Sequence, residues 1–340
     1  MKPRAIVAMS GGVDSSVAAL LALQQGYDVL GVTLRMRDQA PSGAEEVCRR
    51  LSIPFEEWDV REAFSREVIM PFCDAYRAGR TPNPCVLCNR RLKFGLLLRH
   101  AVERGAGAVF SGHYARVEEQ EGRYLLKKGM DEQKDQSYVL CPLSQGQLSR
   151  LHLPLGGMTK GQVRALAAEA GFVTAAAAAE SQDICFIPDG DYCAFVERET
   201  GRLTPGEFRL EDGRSLGAHR GLERYTVGQR RGLGVAWEYP LYVLSKDVCT
   251  GAVTLGPQER LMKSGLTAGD MNWIAFDVPA EPFRAQARTR YHQTETPCTV
   301  IPLPDGRAEA AFDRPVRAPA PGQAVVFYDG DTVLGGGTIL

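Results

Sequence analysis

Long apolar segments are missing from this chain of 340 residues. No window approaches ~18 unbroken apolar residues, the length that a membrane-spanning helix needs, so we expect no transmembrane helix and no membrane partner. The first apolar run, residues 5–9, is interrupted at Ser10 and is too short for the hydrophobic region of a secretory signal peptide. Together these absences predict a cytoplasmic protein.

An excess of one charge is also missing, because 40 basic residues stand against 41 acidic ones. Binding of a nucleic acid would therefore need a local basic patch. One such patch lies between residues 77 and 104, where seven basic residues accompany one acidic residue, Glu103. It is either a solvated helix face or a binding site for nucleic-acid phosphates. The basic residues are Arg77, Arg80, Arg90, Arg91, Lys93, Arg99 and Arg104, and we expect Arg90, Arg91 and Lys93 to contact phosphates.

A regular cysteine spacing is absent too, since the nine cysteines are an odd number at no regular interval. Structural disulfides are therefore not expected, and most of the thiols should be buried. Two places stand out. Cys85 and Cys88 belong to a proline-rich loop just before a helix, whose dipole we expect to lower the pKa of Cys88. Cys185 follows a polar lead-in, residues 181–183, which we expect to let it move toward a fixed Cys88.

Two common phosphate-binding motifs, the Walker loop and the dinucleotide GxGxxG, do not occur in the chain. Residues 10–16 instead read Ser-Gly-Gly-Val-Asp-Ser-Ser, between an apolar run and a helical pattern. Adjacent glycines let backbone N–H groups converge, three serines add hydroxyl donors, and the helix N-terminus adds its dipole. This stretch therefore predicts a phosphate-binding loop.

Strand and helix patterns alternate over residues 1–115. Strands are predicted at 5–9, 27–34, 55–60 and 108–111, and helices at 17–23, 45–51, 64–78 and 89–104. The alternation predicts an α/β fold with a doubly wound parallel sheet and ligands at the carboxyl ends of its strands. Residues 31–34 and 111–113 fall at such ends and are candidates for holding adenine and ribose.

The amino-acid composition changes near residue 200, where glycine and proline become frequent. We predict a catalytic domain at 1–200, a small β-rich middle domain at 201–264 and a β-barrel domain at 265–340. A hairpin pairs 114–117 with 124–127, Thr159 caps a helix at 161–170, and five alanines at 175–179 suggest a linker. Middle-domain strands are expected at 225–227, 241–244 and 252–255. About six barrel strands are expected, at 272–276, 283–290, 298–302, 308–312, 324–328 and 332–334.

Six motifs then occur in a fixed order. They are the loop at 10–16, Thr-Pro-Asn-Pro-Cys-x-x-Cys-Asn at 81–89, Ser-Gly-His-Tyr at 111–114, Lys-Asp-Gln-Ser-Tyr at 134–138, Ser-Gln-Asp-Ile-Cys-Phe-Ile at 181–187 and Tyr-Thr-Val-Gly-Gln-Arg-Arg-Gly-Leu at 225–233. Together they resemble the bacterial tRNA-uridine 2-sulfurtransferases of the ATP-pyrophosphatase superfamily, over nearly the whole chain.

The resemblance implies ATP-dependent 2-thiolation of the wobble uridine in tRNAs for Lys, Glu and Gln. It implies ATP and Mg²⁺ as cofactors, tRNA as partner, and a persulfide donor that is a cysteine desulfurase or a relay protein. Cys185 would carry the persulfide, and Cys88 would form a transient disulfide with it. Contacts to ATP fall on Ala8, Met9, Ser10, Gly11, Gly12, Val13, Asp14, Ser15, Leu34 and Gly112. Contacts to the target base fall on Asn83, Pro84 and Cys85. Contacts to tRNA fall on His113, Lys134, Asp135, Gln136, Arg290, Tyr291 and Gln323.

Two other readings stay open from the residues. Another ATP-pyrophosphatase, of the argininosuccinate- or GMP-synthase type, would share the loop but not the reactive cysteines. A non-catalytic RNA-binding module could use Cys85, Cys88 and Cys185 to hold zinc or an iron–sulfur cluster. A zinc ribbon needs a second CxxC roughly 15–20 residues on, whereas the next cysteine is Cys141. Many members of the resembling family carry Asp at position 85, so a Cys85 role as general base is not expected.

Overall fold

The fold was analysed in a computed structural model that describes residues 2–38, 43–172, 184–201, 203 and 205–340. Its first layer is a parallel sheet of β1 Arg4–Ala8, β2 Asp28–Arg35, β3 Phe55–Asp59, β4 Ala108–Phe110 and β7 Leu151–His152, in the order β3-β2-β1-β4-β7. Along β1, Ala5 and Val7 face one hydrophobic core and Ile6 the other. Helices therefore cover both faces of the sheet, and the predicted doubly wound parallel fold is confirmed. The two-residue β7 was too short to detect in the sequence.

Four of the helices surround the first half of this sheet. They are α1 Val13–Gln24, α2 Ala44–Arg50, α3 Arg61–Phe64 and α4 Met70–Arg77, and a π-helical segment, Ser65–Ile69, makes α3 and α4 continuous. A second continuous helix consists of α5 Pro84–Cys88, the π-helical segment Asn89–Leu96 and α6 Leu97–Glu103. It begins five residues before its predicted start, because Asn83 caps it and Pro84 supplies a preset φ at its first position.

Shorter helices follow in the second half of the domain. They are α7 Ser137–Leu140, α8 Gln145–Leu148, α9 Lys160–Glu169 and α10 Tyr192–Thr200. Thr159 caps α9 as predicted, and its hydroxyl accepts the N–H of Gln162 in a reciprocal capping box. None of the helices in the described part of the chain has the length and hydropathy needed to cross a bilayer. The alanine run at 175–179 lies outside the described residues.

The middle sheet has four strands, β8 Gly206–Leu210, β9 Ser215–His219, β10 Tyr242–Asp247 and β11 Ala252–Gly256, in the order β10-β11-β8-β9. The predicted strand at 225–227 is wrong. Tyr225 is buried directly after the 3₁₀ turn Leu222–Arg224, and its carbonyl accepts the Lys246 ammonium at 2.7 Å. Gly228 then turns the chain with a φ of +91°. These tertiary contacts replace strand pairing.

The last sheet is a closed six-stranded antiparallel barrel. Its strands are β12 Met262–Trp273, β13 Phe283–Arg288, β14 Thr296–Pro302, β15 Ala308–Arg317, β16 Ala324–Asp329 and β17 Thr332–Ile339. The order β12-β15-β14-β13-β16-β17 is closed by pairing of β12 with β17. Six barrel strands were expected, but the first was placed at 272–276 and overlaps only the end of the twelve-residue β12.

A hairpin of the first domain connects the parallel sheet to the barrel. Its strands are β5 Ala115–Gln120 and β6 Arg123–Lys128, close to the predicted positions, and β6 pairs with β17 at Lys127 and Thr332. Tyr138 from the first domain and Tyr328 from the barrel belong to one buried cluster. The barrel is therefore packed onto the first domain through a shared apolar core.

Candidate nucleotide and sulfur-transfer site

The loop at 10–16 is a tight turn between β1 and α1. Gly11 has a φ of +81°, which favours glycine. The hydroxyls of Ser15 and Ser16 both donate to the Gly12 carbonyl, at 3.0 and 2.9 Å, and the Ser10 N–H donates to Ser15 Oγ at 3.2 Å. Both side chains are buried and hold the turn itself, so donation of their hydroxyls to an anion stays a prediction.

Asp14 is held by two groups from distant parts of the chain. Lys160 donates to both carboxylate oxygens, at 2.7 and 2.8 Å, and the Tyr114 hydroxyl donates to Oδ1 at 2.7 Å. The Lys160 side chain is only 12% exposed. Sequence reasoning missed Lys160, and its place directly after the Thr159 cap was the only available signal. Asp14 is therefore oriented in the loop before any ligand binds.

Gly112 allows the end of β4 to pack directly against this loop. A Cβ atom at this position would lie 2.7 Å from the Asp14 carbonyl carbon and 2.9 Å from the Ser15 nitrogen. Such distances are shorter than any side chain tolerates, so position 112 requires glycine. Ala8, Met9 and Leu34 lie at the carboxyl ends of β1 and β2, at the same edge of the sheet.

Replacing Gly112 with alanine is expected to raise the KM for ATP about tenfold, because the new methyl group displaces the backbone at Asp14 and Ser15. The measurement is pyrophosphate release against ATP concentration. Gly107→Ala is the matched control, since Gly107 precedes the same strand and a Cβ there has no atom within 4 Å. Equal KM values for the two variants would contradict this account of Gly112.

Cys85 and Cys88 lie at the start of the second long helix. Asn83 Oδ1 accepts the Cys85 N–H at 3.1 Å, which places Cys85 in the first turn and leaves it exposed. Cys88 is 6% exposed, and burial raises the pKa of its thiol to about 11 although the Lys93 ammonium acts in the opposite direction. The prediction of a lowered pKa is wrong, because the helix begins at Pro84 and Cys88 lies a full turn inside it.

Cys185 approaches these two thiols from a distant segment. It is exposed, but the next residue, Phe186, is buried against Phe64 and Phe72 with ring centroids at 5.6 and 5.2 Å. Phe186 and Cys88 belong to one core cluster, and the charge of Cys185 raises the pKa of both Cys85 and Cys88. Phe186 therefore anchors Cys185 beside Cys88. Its lead-in, residues 181–183, lies outside the described residues.

All nine cysteines are free thiols, and six of them are buried, as expected for a chain without structural disulfides. Among the residues that the structure describes, no group of three or more His, Cys, Asp or Glu side chains could hold a metal ion. Cys85, Cys88 and Cys185 are thus neighbours without forming such a group.

His113 directly follows Gly112, just after β4. Its Nδ1 is 2.6 Å from Ser111 Oγ, and its ring packs edge-on against Phe94. Burial, assisted by the charge of Lys93, lowers the pKa of His113 to about 3. The imidazole is therefore neutral at physiological pH.

Several residues assigned to tRNA by resemblance make contacts within the protein instead. Asp135 is 5% exposed, and both its oxygens accept hydrogen bonds from the chain, so its approach to tRNA stays a prediction. Gln323 donates to the Thr81 carbonyl at 2.9 Å, and Tyr291 donates to the Asp135 carbonyl at 3.0 Å. Arg290 donates to the carbonyls of Val227 and Ala318. The half-buried Lys134 and Gln136 belong to the same segment.

The predicted basic patch is divided between separate places. Lys93 acts on Cys85, Cys88 and His113, whereas Arg104 pairs with Glu56 and lies over the Trp58 ring. Arg90, Arg91 and Arg99 line a groove of about 840 Å³ beside the second long helix, whereas Arg77 and Arg80 are not among its lining residues. We call it the arginine groove, and it contains Arg66, Arg90, Arg91, Arg99 and Arg150, two of which the patch did not include.

Comparison with known proteins gives matches along nearly the whole chain. Residues 3–189 match the tRNA methyl transferase HUP domain, residues 194–257 the tRNA methyl transferase PRC-barrel domain, and residues 263–339 the aminomethyltransferase beta-barrel domain. The tRNA-specific 2-thiouridylase MnmA of Syntrophotalea carbinolica is 49% identical over 98% of this chain and 97% of that protein. The enzyme of the same name from Geotalea uraniireducens is 47% identical over 99% and 95%.

Among solved structures, a 4-thiouridine synthetase in complex with RNA and ATP is 20% identical, with a TM-score of 0.40, over 58% of this chain and 50% of that chain. An identity and a TM-score this low support no conclusion about function. The two full-length relatives and the match to residues 3–189 decide the assignment. These matches give no support to the alternative of an argininosuccinate- or GMP-synthase-type enzyme. The chain belongs to the tRNA-specific 2-thiouridylase family.

Proposed function

We propose that this protein catalyses ATP-dependent 2-thiolation of the wobble uridine in tRNAs for Lys, Glu and Gln. The observation that carries the proposal is that one domain contains both a phosphate-type loop and two neighbouring cysteines. A phosphate-type loop is held in shape at the carboxyl ends of β1 and β4, and Cys185 lies beside Cys88 at the start of the second long helix. Full-length relatives named as tRNA-specific 2-thiouridylases support the substrate.

The first step would be adenylation, because the C2 oxygen of uridine is a poor leaving group. The loop suits ATP phosphates, because Gly11 turns it at a positive φ and Gly112 lets the end of β4 pack against the backbone of Asp14 and Ser15, which fixes the shape of the loop. Backbone N–H groups at the start of α1 would bind the phosphates. Attack of the C2 oxygen on the α-phosphorus would release pyrophosphate and leave AMP on that oxygen. Lys160, next to the loop, would neutralise part of the developing charge.

Mg²⁺ is less well supported by the side chains. Both oxygens of Asp14 are already bound by Lys160, and the described residues supply no three-ligand group. Asp14 would offer Mg²⁺ a carboxylate only after releasing Lys160. We therefore derive no step through the metal and assign Asp14 to loop ordering.

Sulfur transfer would follow in two displacements. The terminal sulfur of a Cys185 persulfide attacks C2, and AMP leaves with the C2–O bonding electrons. The Cys88 thiolate then attacks Cys185 Sγ, the S–S bond breaks, and its electron pair stays on the sulfur of 2-thiouridine. A Cys88–Cys185 disulfide remains, which a dithiol reductant must reopen. Burial raises the pKa of Cys88 to about 11 even though the neighbouring Lys93 charge lowers it, so the thiol must lose its proton as it attacks.

The exposure of Cys185 supports loading by an external persulfide donor, either a cysteine desulfurase or a relay protein. We further propose that the domains at 1–200, 201–264 and 265–340 divide the work, with adenylation and sulfur transfer in the first. Asn83, Pro84 and Cys85 would face the target base. The contacts of Gln323 with the Thr81–Pro82 backbone would let the barrel hold this loop.

The direct test is thiolation of an unmodified tRNA transcript with ATP and a persulfide donor. We expect 2-thiouridine at the wobble position, detected by mass spectrometry of the nucleosides, with one AMP and one pyrophosphate formed per sulfur transferred. A tRNA with cytidine at that position is the control. Pyrophosphate release without 2-thiouridine would contradict the proposal.

The arginine groove provides a prediction on tRNA binding. Arg90 and Arg99 form no ion pair within the described ranges, whereas Arg91 pairs with Glu67 at 2.9 Å. Arg90→Gln and Arg99→Gln should each reduce the slope of log affinity against log salt by roughly one unit or less. Arg307→Gln, which removes a barrel arginine already paired with Asp305, should leave the slope unchanged. Unchanged slopes in all three variants would show that the arginine groove is a solvated surface that does not bind tRNA phosphates.

A further inference from the structure

A buried ion pair joins the barrel to the first domain. Arg288 on β13 donates to Asp135 Oδ2 at 3.0 Å, and the two side chains are 18% and 2% exposed. Asp135 Oδ1 accepts the N–H groups of Gly129 and Ser137, at 3.1 and 3.0 Å. The Arg288 guanidinium also packs over the Tyr328 ring, 5.0 Å from its centroid. The carboxylate thus organises the chain on both sides of residue 135.

The next residue continues the connection toward the phosphate loop. The Gln136 N–H donates to the Tyr114 carbonyl at 2.8 Å, and the Tyr114 N–H donates to Gln136 Oε1 at 3.0 Å. The Tyr114 hydroxyl then donates to Asp14 Oδ1 at 2.7 Å. Because residues 135 and 136 are adjacent, an unbroken series of covalent and hydrogen bonds runs from Arg288 to Asp14.

A buried carboxylate is stable in this position only while it is paired and hydrogen-bonded. Arg288 is the one cation that forms an ion pair with Asp135 among the residues described. Removing the barrel arginine would therefore make residue 135 move toward water. Gln136 would move with it, and the two backbone contacts that hold Tyr114 would be lost.

We infer that Asp135 and Arg288 are positioning residues for adenylation, because their ion pair holds Gln136 and Tyr114 where the Tyr114 hydroxyl orients Asp14. The inference rests on the proposed function, since Asp14 matters here only as part of an ATP-binding loop. The way the barrel packs onto the first domain then sets the affinity of the ATP-binding loop in that domain.

The test measures KM for ATP and kcat in tRNA-dependent pyrophosphate release. Arg288→Met should raise the KM for ATP about tenfold, and Arg288→Lys, which keeps the charge, should stay within threefold of wild type. Arg284→Met is the matched control, because Arg284 lies on the same strand in an exposed pair with Asp313 and should leave KM unchanged. Loss of folded protein lowers the apparent kcat but does not move KM, so KM separates positioning from mere stability.

Tyr114→Phe is a second test that stays valid if Arg288→Met does not fold. It removes only the hydroxyl at the far end of the connection. It should raise KM for ATP about fivefold, and combining it with Arg288→Met should give less than the product of the single effects. KM values within twofold of wild type for both Tyr114→Phe and any folded Arg288→Met would overturn the inference. If wild type itself releases no pyrophosphate, the proposed function fails, and the inference falls with it.

Discussion

Cys185→Ser is expected to take up no transferable sulfur and to lose thiolation by at least about a thousandfold, as losing a covalent nucleophile does. The reason is placement, because Phe186 anchors an exposed thiol beside Cys88. The measurement combines intact-mass detection of the +32 Da persulfide, roughly the mass of one sulfur atom on the thiol, with single-turnover thiolation of tRNA.

Cys88→Ser and Cys85→Ser complete this series as matched thiol-to-hydroxyl changes. Cys88→Ser should still load sulfur on Cys185 but should fail to release product, because no second thiolate attacks Cys185 Sγ. Cys85→Ser should keep substantial activity, since its exposed thiol takes no part in either displacement. Bound iron in wild type, lost with activity in all three variants, would contradict the persulfide scheme and favour a cluster.

Asp14→Ala is expected to lower pyrophosphate release by about two to three orders of magnitude, the range seen when one preorganised electrostatic group is removed. The carboxylate accepts three hydrogen bonds, two from Lys160 and one from Tyr114. Without it the Lys160 ammonium, 12% exposed, loses its counter-charge, and the loop loses its attachment to Tyr114. Turnover of ATP to pyrophosphate, measured at saturating tRNA, is the readout.

Asp28→Ala is the matched control for Asp14→Ala, because Asp28 starts β2 and forms an exposed pair with Arg4 that contributes little. It should leave activity within twofold. Asp14→Asn keeps an oxygen for Tyr114 and should retain more activity than alanine. Near wild-type pyrophosphate release in Asp14→Ala would show that the loop at 10–16 does not handle ATP phosphates.

Elements with a strong local pattern were predicted well. Four strands of the parallel sheet, the helix capped by Thr159 and five of the six barrel strands follow from runs of apolar residues bounded by glycine or a cap. The failures have tertiary causes. Residues 225–227 are apolar enough for a strand but are held by Lys246 and Gly228 instead. The pKa of the Cys88 thiol was predicted from the dipole of its helix, whereas burial has the largest effect on it.

From the sequence alone follow the phosphate-type loop, the doubly wound sheet and the family, because each motif or pattern behind them is formed by residues close together in the chain. The partners of those residues depend on folding, since Lys160 lies 146 positions from Asp14 and Arg288 lies 153 from Asp135. No local pattern encodes such pairs. They form because folding brings α9 beside α1 and packs the barrel onto the first domain, where burial makes each unpaired charge costly and so selects its partner.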